Sequence, residues 1–422
     1  MPKGIEIDGC RYGQVNKAIP GVKQGAALWF RMFVSVTKEF GFTQCAVEPC
    51  FFYRFSETVI CLILVHVDNL IIGCNNKLWL DNLLFQEWDK HFKVSYVTDR
   101  SLLGLTVERV SPNRFDFSMR AYIDGLVVKY GLVSKEPVHI PLRYNIEKDY
   151  DPEKMSVKNI PKDIPFASLT MELMWVGRSL RREILYAAQF FSRFMHCYTV
   201  EMFEDLKNVI LYLKGTIDYK EIMIVNPDSE TSISFFCDAS YANSPDRKSV
   251  FGFVGFLDDC CIVARSATIK TQLTSSCEGE SHGIFEAAKM CVYLYNWLSE
   301  VTNCRKPCFI FNDNTAAVLI TSTPGNSGRS KHYDVKLRYV CENVLSGLIK
   351  VKFIKRGKNG ADILTHSLAR NEFEEGLVHL LGTRGAKQLI QKGRWYRSGG
   401  ETEFTSTCTY EQVKEICSHF FG

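Results

Sequence analysis

Ser232-Ile233-Ser234-Phe235-Phe236-Cys237-Asp238 decides how the second half of the chain is read. Its aromatic and β-branched content predicts a strand over Ser232 to Cys237, closed by an acid, Asp238. Downstream, Val250 to Phe256 and Cys261 to Ser266 read as two more strands, followed by a long helix from Ser276 to Glu300. A strand at Cys308 to Phe311, helices at Thr315 to Ile320 and Val335 to Leu345, a strand at Ile349 to Ile354 and a helix from Asn359 complete the series. Three strands in a meander followed by helix-linked strands predict a mixed α/β sheet.

Upstream, the aromatic run Phe51 to Phe55, a polar turn at Ser56-Glu57 and the apolar run Val59 to Val65 predict a hairpin. The second strand runs into His66-Val67-Asp68-Asn69 and then Leu70-Ile71-Ile72, which puts Asp68 at a tight turn. Residues 77–92 carry Leu80, Leu83, Leu84 and Trp88 at helical steps, and residues 165–215 are mainly helical in pattern. Charged, Pro-containing stretches at 144–164 and 215–230 are the best linker candidates.

With 422 residues the chain exceeds one ordinary core, so several domains are expected: 1–145, a helical 146–228, the mixed sheet of 229–370, and a tail at 371–422 with no assigned role. Ordinary hydrophobic and charged content (46% and 23%) excludes a long disordered tract. Apolar runs fall short of the roughly 20 residues of a membrane span. The first residues lack the apolar core of a secretory signal, so an intracellular chain is expected, with its sixteen cysteines as core thiols. No Cys-x-x-Cys pair suggests a zinc cage. Net charge is only +4, but residues 329–358 hold nine Lys/Arg against two acids, a local field suited to a phosphate backbone.

Hydrolysing a phosphodiester is well served by two divalent cations roughly 4 Å apart, held by carboxylates. Asp238 and Asp313 each sit at a predicted strand exit, where open α/β sheets place their sites. Ser275-Ser276-Cys277-Glu278 is a capping-box pattern, which gives Glu278 a structural task. Glu280 instead begins the stripe Ile284, Ala287, Cys291, Leu294 and Leu298, where a carboxylate is costly unless paired or bound to metal. Asp362 is expected in the first turn of the last helix, where a helix dipole alone would suit it.

The order of these acids resembles the ribonuclease H domain of copia-type LTR retrotransposon Pol proteins. The matching phrases are Phe236-Cys237-Asp238-Ala239-Ser240-Tyr241, Asp246-Arg247-Lys248-Ser249-Val250-Phe251-Gly252, Ser275-Ser276-Cys277-Glu278-Gly279-Glu280, Asn312-Asp313-Asn314-Thr315-Ala316-Ala317, Arg329-Ser330-Lys331-His332-Tyr333-Asp334-Val335 and Ala361-Asp362-Ile363-Leu364-Thr365. The resemblance implies an RNase H-like mixed sheet with flanking helices, and catalytic, metal-binding roles for Asp238, Glu280, Asp313 and Asp362 with two Mg²⁺ or Mn²⁺ ions. It also implies cleavage of the RNA strand of an RNA/DNA hybrid, with Arg329, Lys331, His332, Lys336, Arg338, Lys355 and Arg356 as nucleic-acid contacts. Where the family usually has Phe-Thr-Lys, this chain has Leu364-Thr365-His366.

The resemblance extends upstream through a partial reverse-transcriptase palm and thumb, making the expected fold class α/β and α+β multidomain. Lys17 to Phe30 resembles the family's Lys-x-Leu-Tyr-Gly-Leu-Lys-Gln segment and would place Gln24 near template and nucleotide; Leu103-Gly104-Leu105 and Leu211 to Thr216 match later phrases. The family's Tyr-Val-Asp-Asp corresponds here to His66-Val67-Asp68-Asn69, and a third Asp, placed by the resemblance upstream of residue 15, is missing. A degenerate polymerase site beside a complete nuclease site is therefore expected. The alternative is a non-catalytic nucleic-acid-binding relic or domesticated interaction module. Partners implied are an RNA/DNA hybrid and other retrotransposon proteins, without a membrane, in a cytoplasmic virus-like particle or the nucleus.

Overall fold

The computed structural model describes residues 23–381 apart from 97–100, 156–160, 162, 225–230, 259, 303 and 324–333. The first unit opens with helix α1 (Lys23–Glu39) and a four-stranded antiparallel sheet, β1 (Thr43–Gln44), β2 (Phe51–Phe55), β3 (Ile60–His66) and β4 (Asn69–Cys74), in sequence order. Alternate residues of β3, Cys61, Ile63 and Val65, face a core with Phe33, Phe52 and Trp88, the pleat's period of two turned into one buried face. The predicted β2–β3 hairpin is present, and Asp68 sits exposed at the two-residue tip of the following β3–β4 hairpin beside Val67, whose φ of 56° is unusual for a β-branched residue.

The helix expected over 77–92 is not uniform. It runs as α2 (Lys77–Asn82), capped by Asn76, then a π turn at Leu83–Glu87 and a 3₁₀ turn at Trp88–Lys90. The change of helical pitch turns Leu83, Leu84 and Trp88 together into the core, and this burial outweighs the poorer hydrogen-bond geometry.

Strands β5 (Ser101–Leu102), β6 (Leu105–Ser111) and β7 (Arg114–Ser118), helix α3 (Arg120–Lys129), and helices α4 (Phe166–Ser179), α5 (Leu185–Ser192) and α6 (Val200–Gly215) follow. Strand β8 (Glu221–Ile224) returns to pair with β7. Part of the stretch read as a linker at 215–230 is thus a strand. The buried faces of these helices, with Phe166, Leu173, Phe190, Phe191, Leu206 and Ile210, form the largest core.

The last unit holds β9 (Ile233–Ser240), β10 (Val250–Leu257), β11 (Cys260–Thr268), α7 (Ser276–Thr302), β12 (Cys308–Asn312), α8 (Thr315–Ser322), α9 (Asp334–Leu345), β13 (Ile349–Phe353) and α10 (Arg370–Leu380). Its sheet has the order β11-β10-β9-β12-β13, antiparallel through β9 and parallel from there on. This is the mixed α/β sheet that the strand and helix order predicted. Strand β10 is buried on both faces: Phe251 and Phe253 join the core under α7, while Val250, Val254 and Phe256 join the helical core of the preceding unit. Continuous burial explains its near-continuous apolar sequence.

Two sequence expectations need correction here. Strand β9 does not close at Cys237, because Ala239 and Ser240 still pair with Phe251 and Val250. The expected helix from Asn359 is replaced by a 3₁₀ turn at Asp362–Leu364, with α10 starting only at Arg370. Groups in that stretch are committed elsewhere: Asn359 donates to the Cys237 carbonyl, the Leu364 carbonyl accepts from Ser266, and the Ser367 amide donates to Glu147. Among the described residues the cysteines are free thiols, mostly buried, as the sequence suggested. No described helix is long and apolar enough to cross a membrane.

Candidate active site

The cluster is built from three backbone elements. Asp238 lies near the end of central strand β9, Asp313 follows parallel neighbour β12 by one residue, and Asp362 begins the 3₁₀ turn. One carboxylate oxygen from each lies within 4.8 Å of the others, and no other such group of three occurs among the described residues. Glu280, in the first turns of α7, lines the same open cleft of about 770 Å³. Its side chain is 7% exposed, so the position read from the apolar stripe is indeed buried.

Two glycines allow this convergence. Gly252 pairs with Asp238 across the sheet, and a Cβ there would stand 2.5 Å from the Leu364 Cβ and 3.1 Å from the Thr365 methyl. Only a bare backbone lets the 361–365 segment cross β10 and deliver Asp362. Gly283 does the same for α7, since a Cβ would lie 3.3 Å from the Asp238 carbonyl. The helix start is fixed by Ser275, which accepts from the Glu278 amide, while the Glu278 carboxylate accepts from the amide and hydroxyl of Thr274. The capping pattern is real but closes on Thr274.

Sequence reasoning missed two asparagines. Asn312 donates from Nδ2 to Glu280 Oε2 at 2.8 Å and to the Cys237 carbonyl at 3.0 Å, and its Oδ1 accepts from the Asn314 amide. Asn359 donates to that same Cys237 carbonyl at 2.9 Å. Both are buried, and together they lock the β9 exit beside Asp238. The signal for each was a polar amide flanked by cluster residues, at the end of an apolar strand or just before Asp362.

Burial and crowding weaken these acids. Burial, then the charge of Asp238, pushes Glu280 up to about 9, against the pull of Asn312. Burial, then Asp238 and Asp313, pushes Asp362 up to about 8, with Arg356 opposing. Asp313 is also raised, by burial and then Asp238. Asp362 Oδ1 is buried and has no hydrogen-bond partner among the described residues. A buried, all-oxygen cluster with unspent acceptor capacity and excess negative charge suits hard divalent cations such as Mg²⁺ or Mn²⁺.

The other predicted residues are dispersed. Arg356 lines the cleft and Lys355 is exposed beside it. Lys336 lies on α9 with its ammonium 2.9 Å from His282 Nδ1, and burial with the Lys336 charge lowers His282 to about 4. Arg338 is exposed, 3.6 Å from Glu342. Arg329, Lys331 and His332 lie outside the described residues. Gln24 is exposed in the first turn of α1, and Asp68 and Asn69 are exposed at the β3–β4 turn, apart from the carboxylate cluster.

Residues 1–144 match the family described as reverse transcriptase (RNA-dependent DNA polymerase). The chain is 26% identical over 382 residues, 89% of its length, to the retrovirus-related Pol polyprotein from transposon TNT 1-94 of Nicotiana tabacum. It is 25% identical over 370 residues to that from transposon RE1 of Arabidopsis thaliana, 86% of its own length. It spans only about a quarter of these relatives, 28% and 24% respectively. Among solved structures, the foamy viral protease-reverse transcriptase in complex with dsDNA aligns over 80% of this chain and 60% of its own, at 12% identity and TM-score 0.43. The N-terminal RNase H domain of a Mycobacterium tuberculosis protein aligns over 39% of this chain and 99% of its own, at 13% identity and TM-score 0.25.

Proposed function

We propose that this chain, related to the Pol polyproteins of copia-type retrotransposons, is a reverse transcriptase/RNase H segment whose working site is a metal-dependent ribonuclease H. The nuclease unit is residues 229–370, after a palm-like 1–145 and a helical 146–228. The supporting observation is the meeting of Asp238, Asp313 and Asp362 within 4.8 Å, with Glu280 lining the same cleft.

These four side chains would hold two divalent cations. When bound, such ions activate water and neutralise charge on the leaving oxygen. The residues supply the rest: Asn312 holds the Glu280 carboxylate, and Arg356 at the cleft edge places a positive charge where a phosphodiester enters. In the hydrolysis, oxygen of water bonds to phosphorus, the bridging P–O bond breaks, and the departing oxygen ends with a proton. The substrate is the RNA strand of an RNA/DNA hybrid, held through its phosphates by Lys336, Arg338, Lys355, Arg356 and the basic run before them.

The polymerase half is read as inactive. Asn69 keeps the size of Asp but carries no charge, which weakens the hold on the cations of a nucleoside triphosphate. Template-dependent nucleotide incorporation by the purified chain would refute this half.

The nuclease is tested by incubating the chain with a labelled RNA/DNA hybrid. Cutting that needs Mg²⁺ or Mn²⁺ and disappears in Asp238→Asn supports the enzyme. Binding without cutting makes the chain a nucleic-acid-binding module.

A further inference from the structure

Asp238 is the charge common to the whole cluster, since its carboxylate raises Glu280, Asp313 and Asp362 alike. A buried carboxylate amid three others needs something to hold it in place. Thr365 Oγ1 is hydrogen-bonded to Asp238 Oδ2 and lies 3.0 Å from both the Asp362 carbonyl and His366 Nδ1. A hydroxyl has one proton and two acceptor sites. Its two acceptors are the Asp238 carboxylate and the Asp362 carbonyl, of which a carboxylate makes the stronger bond, and the close approach of His366 is satisfied when Nδ1 carries the hydrogen and donates to Oγ1.

The support around Thr365 is rigid. Its side chain is 1% exposed and its methyl faces the bare backbone of Gly252. Ser266 Oγ donates to the Leu364 carbonyl at 2.6 Å, and Glu147 accepts from the amide and the hydroxyl of Ser367, both at 2.6 Å. The residues on either side of Thr365 and His366 are therefore clamped from two other parts of the chain. A hydroxyl so fixed stays within reach of the Asp238 carboxylate.

We propose that Thr365 is a positioning residue that holds the Asp238 carboxylate ready for cation binding, with His366 fixing the direction of the Thr365 hydroxyl. This rests on the nuclease reading of the site but concerns the chain's own side chains. Partners of this kind behind a metal ligand are worth about 10–100-fold in metal affinity or activity.

The test uses the full chain and Mn²⁺ alone, titrated calorimetrically into wild type, Thr365→Val and Thr365→Ser. Valine keeps the methyl packing and removes the hydroxyl, while serine keeps the hydroxyl. Expected are a roughly 10–100-fold weaker Mn²⁺ affinity for the valine variant and a value within about threefold of wild type for serine. On the hybrid substrate, the valine variant should lose kcat at a given Mg²⁺ concentration with KM for the hybrid unchanged. Near-UV circular dichroism confirms native packing; if valine fails to fold, Thr365→Ala takes its place. Wild-type affinity in the valine variant, or a serine variant as weak as valine, overturns the proposal. A wild type that binds Mn²⁺ in a Thr365-dependent way yet cuts no hybrid refutes the nuclease reading and leaves this inference standing. A wild type that binds no Mn²⁺ overturns both.

Discussion

Glu280→Gln should make the metal-free protein less sensitive to rising pH. In the folded chain Glu280 sits at about 9 and Asp362 at about 8, through burial and then the charge of Asp238. Unfolded, both titrate near about 4. A carboxyl whose folded value is raised keeps its proton where the unfolded chain has already lost it. Between about pH 5 and 8 the folded state therefore binds more protons, and stability falls as pH rises. Each extra proton is worth about 1.4 kcal/mol per pH unit, so the pair gives a slope near 3 and the variant about half of that. Glutamine retains the oxygen that accepts from Asn312, so packing is preserved. Thermal melts in EDTA at pH 6, 7 and 8 read the effect. The wild type should lose roughly 4 °C more per pH unit than the variant, which should melt higher at pH 8. Parallel curves for the two proteins would refute the argument that crowding of carboxylates sets the stability of the cluster.

Mg²⁺ added at pH 7 should release about one to two protons per chain, since the ligands must ionise to bind it, and calorimetry in buffers of different ionisation enthalpy counts them. Gly252→Ala would force a Cβ to within 2.5 Å of Leu364 and should destabilise by about 1–3 kcal/mol while lowering hybrid cleavage, because the displaced segment carries Asp362; melting and cleavage rate are read on the same sample. Glu147→Ala removes the acceptor for the Ser367 amide, the Ser367 hydroxyl and the Tyr186 hydroxyl, and should cost about 3 kcal/mol in denaturant unfolding.

Much of the strand and helix order was legible because each element carries its own period. The alternating burial of β3 and the apolar stripe behind Glu280 are local facts of sequence. Glu280 in particular was readable from chemistry alone, as a carboxylate on a face that excludes water. Asp362 was not. Its placement depends on Gly252 leaving a gap in β10, on Ser266 reaching across to Leu364 and on Glu147 capturing Ser367 from 220 positions away. None of these leaves a periodic trace. The π turn after α2 was hidden for a similar reason, because the pitch is set by the core that Trp88 enters and not by the propensities of residues 83–87. Asn312 and Asn359 looked like strand-end and turn polars until their shared acceptor, the Cys237 carbonyl, was in view.

That the four acids act as one site is tested most directly by single-turnover cleavage of a 5′-labelled RNA/DNA hybrid in Mg²⁺, comparing wild type with Asp238→Asn, Glu280→Gln, Asp313→Asn and Asp362→Asn. The predicted result is cutting of the RNA strand by wild type and a loss of about a hundredfold or more in each variant, as for groups that stabilise transition-state charge together. A wild type that leaves the RNA intact, or any one variant that cuts at the wild-type rate, would contradict it.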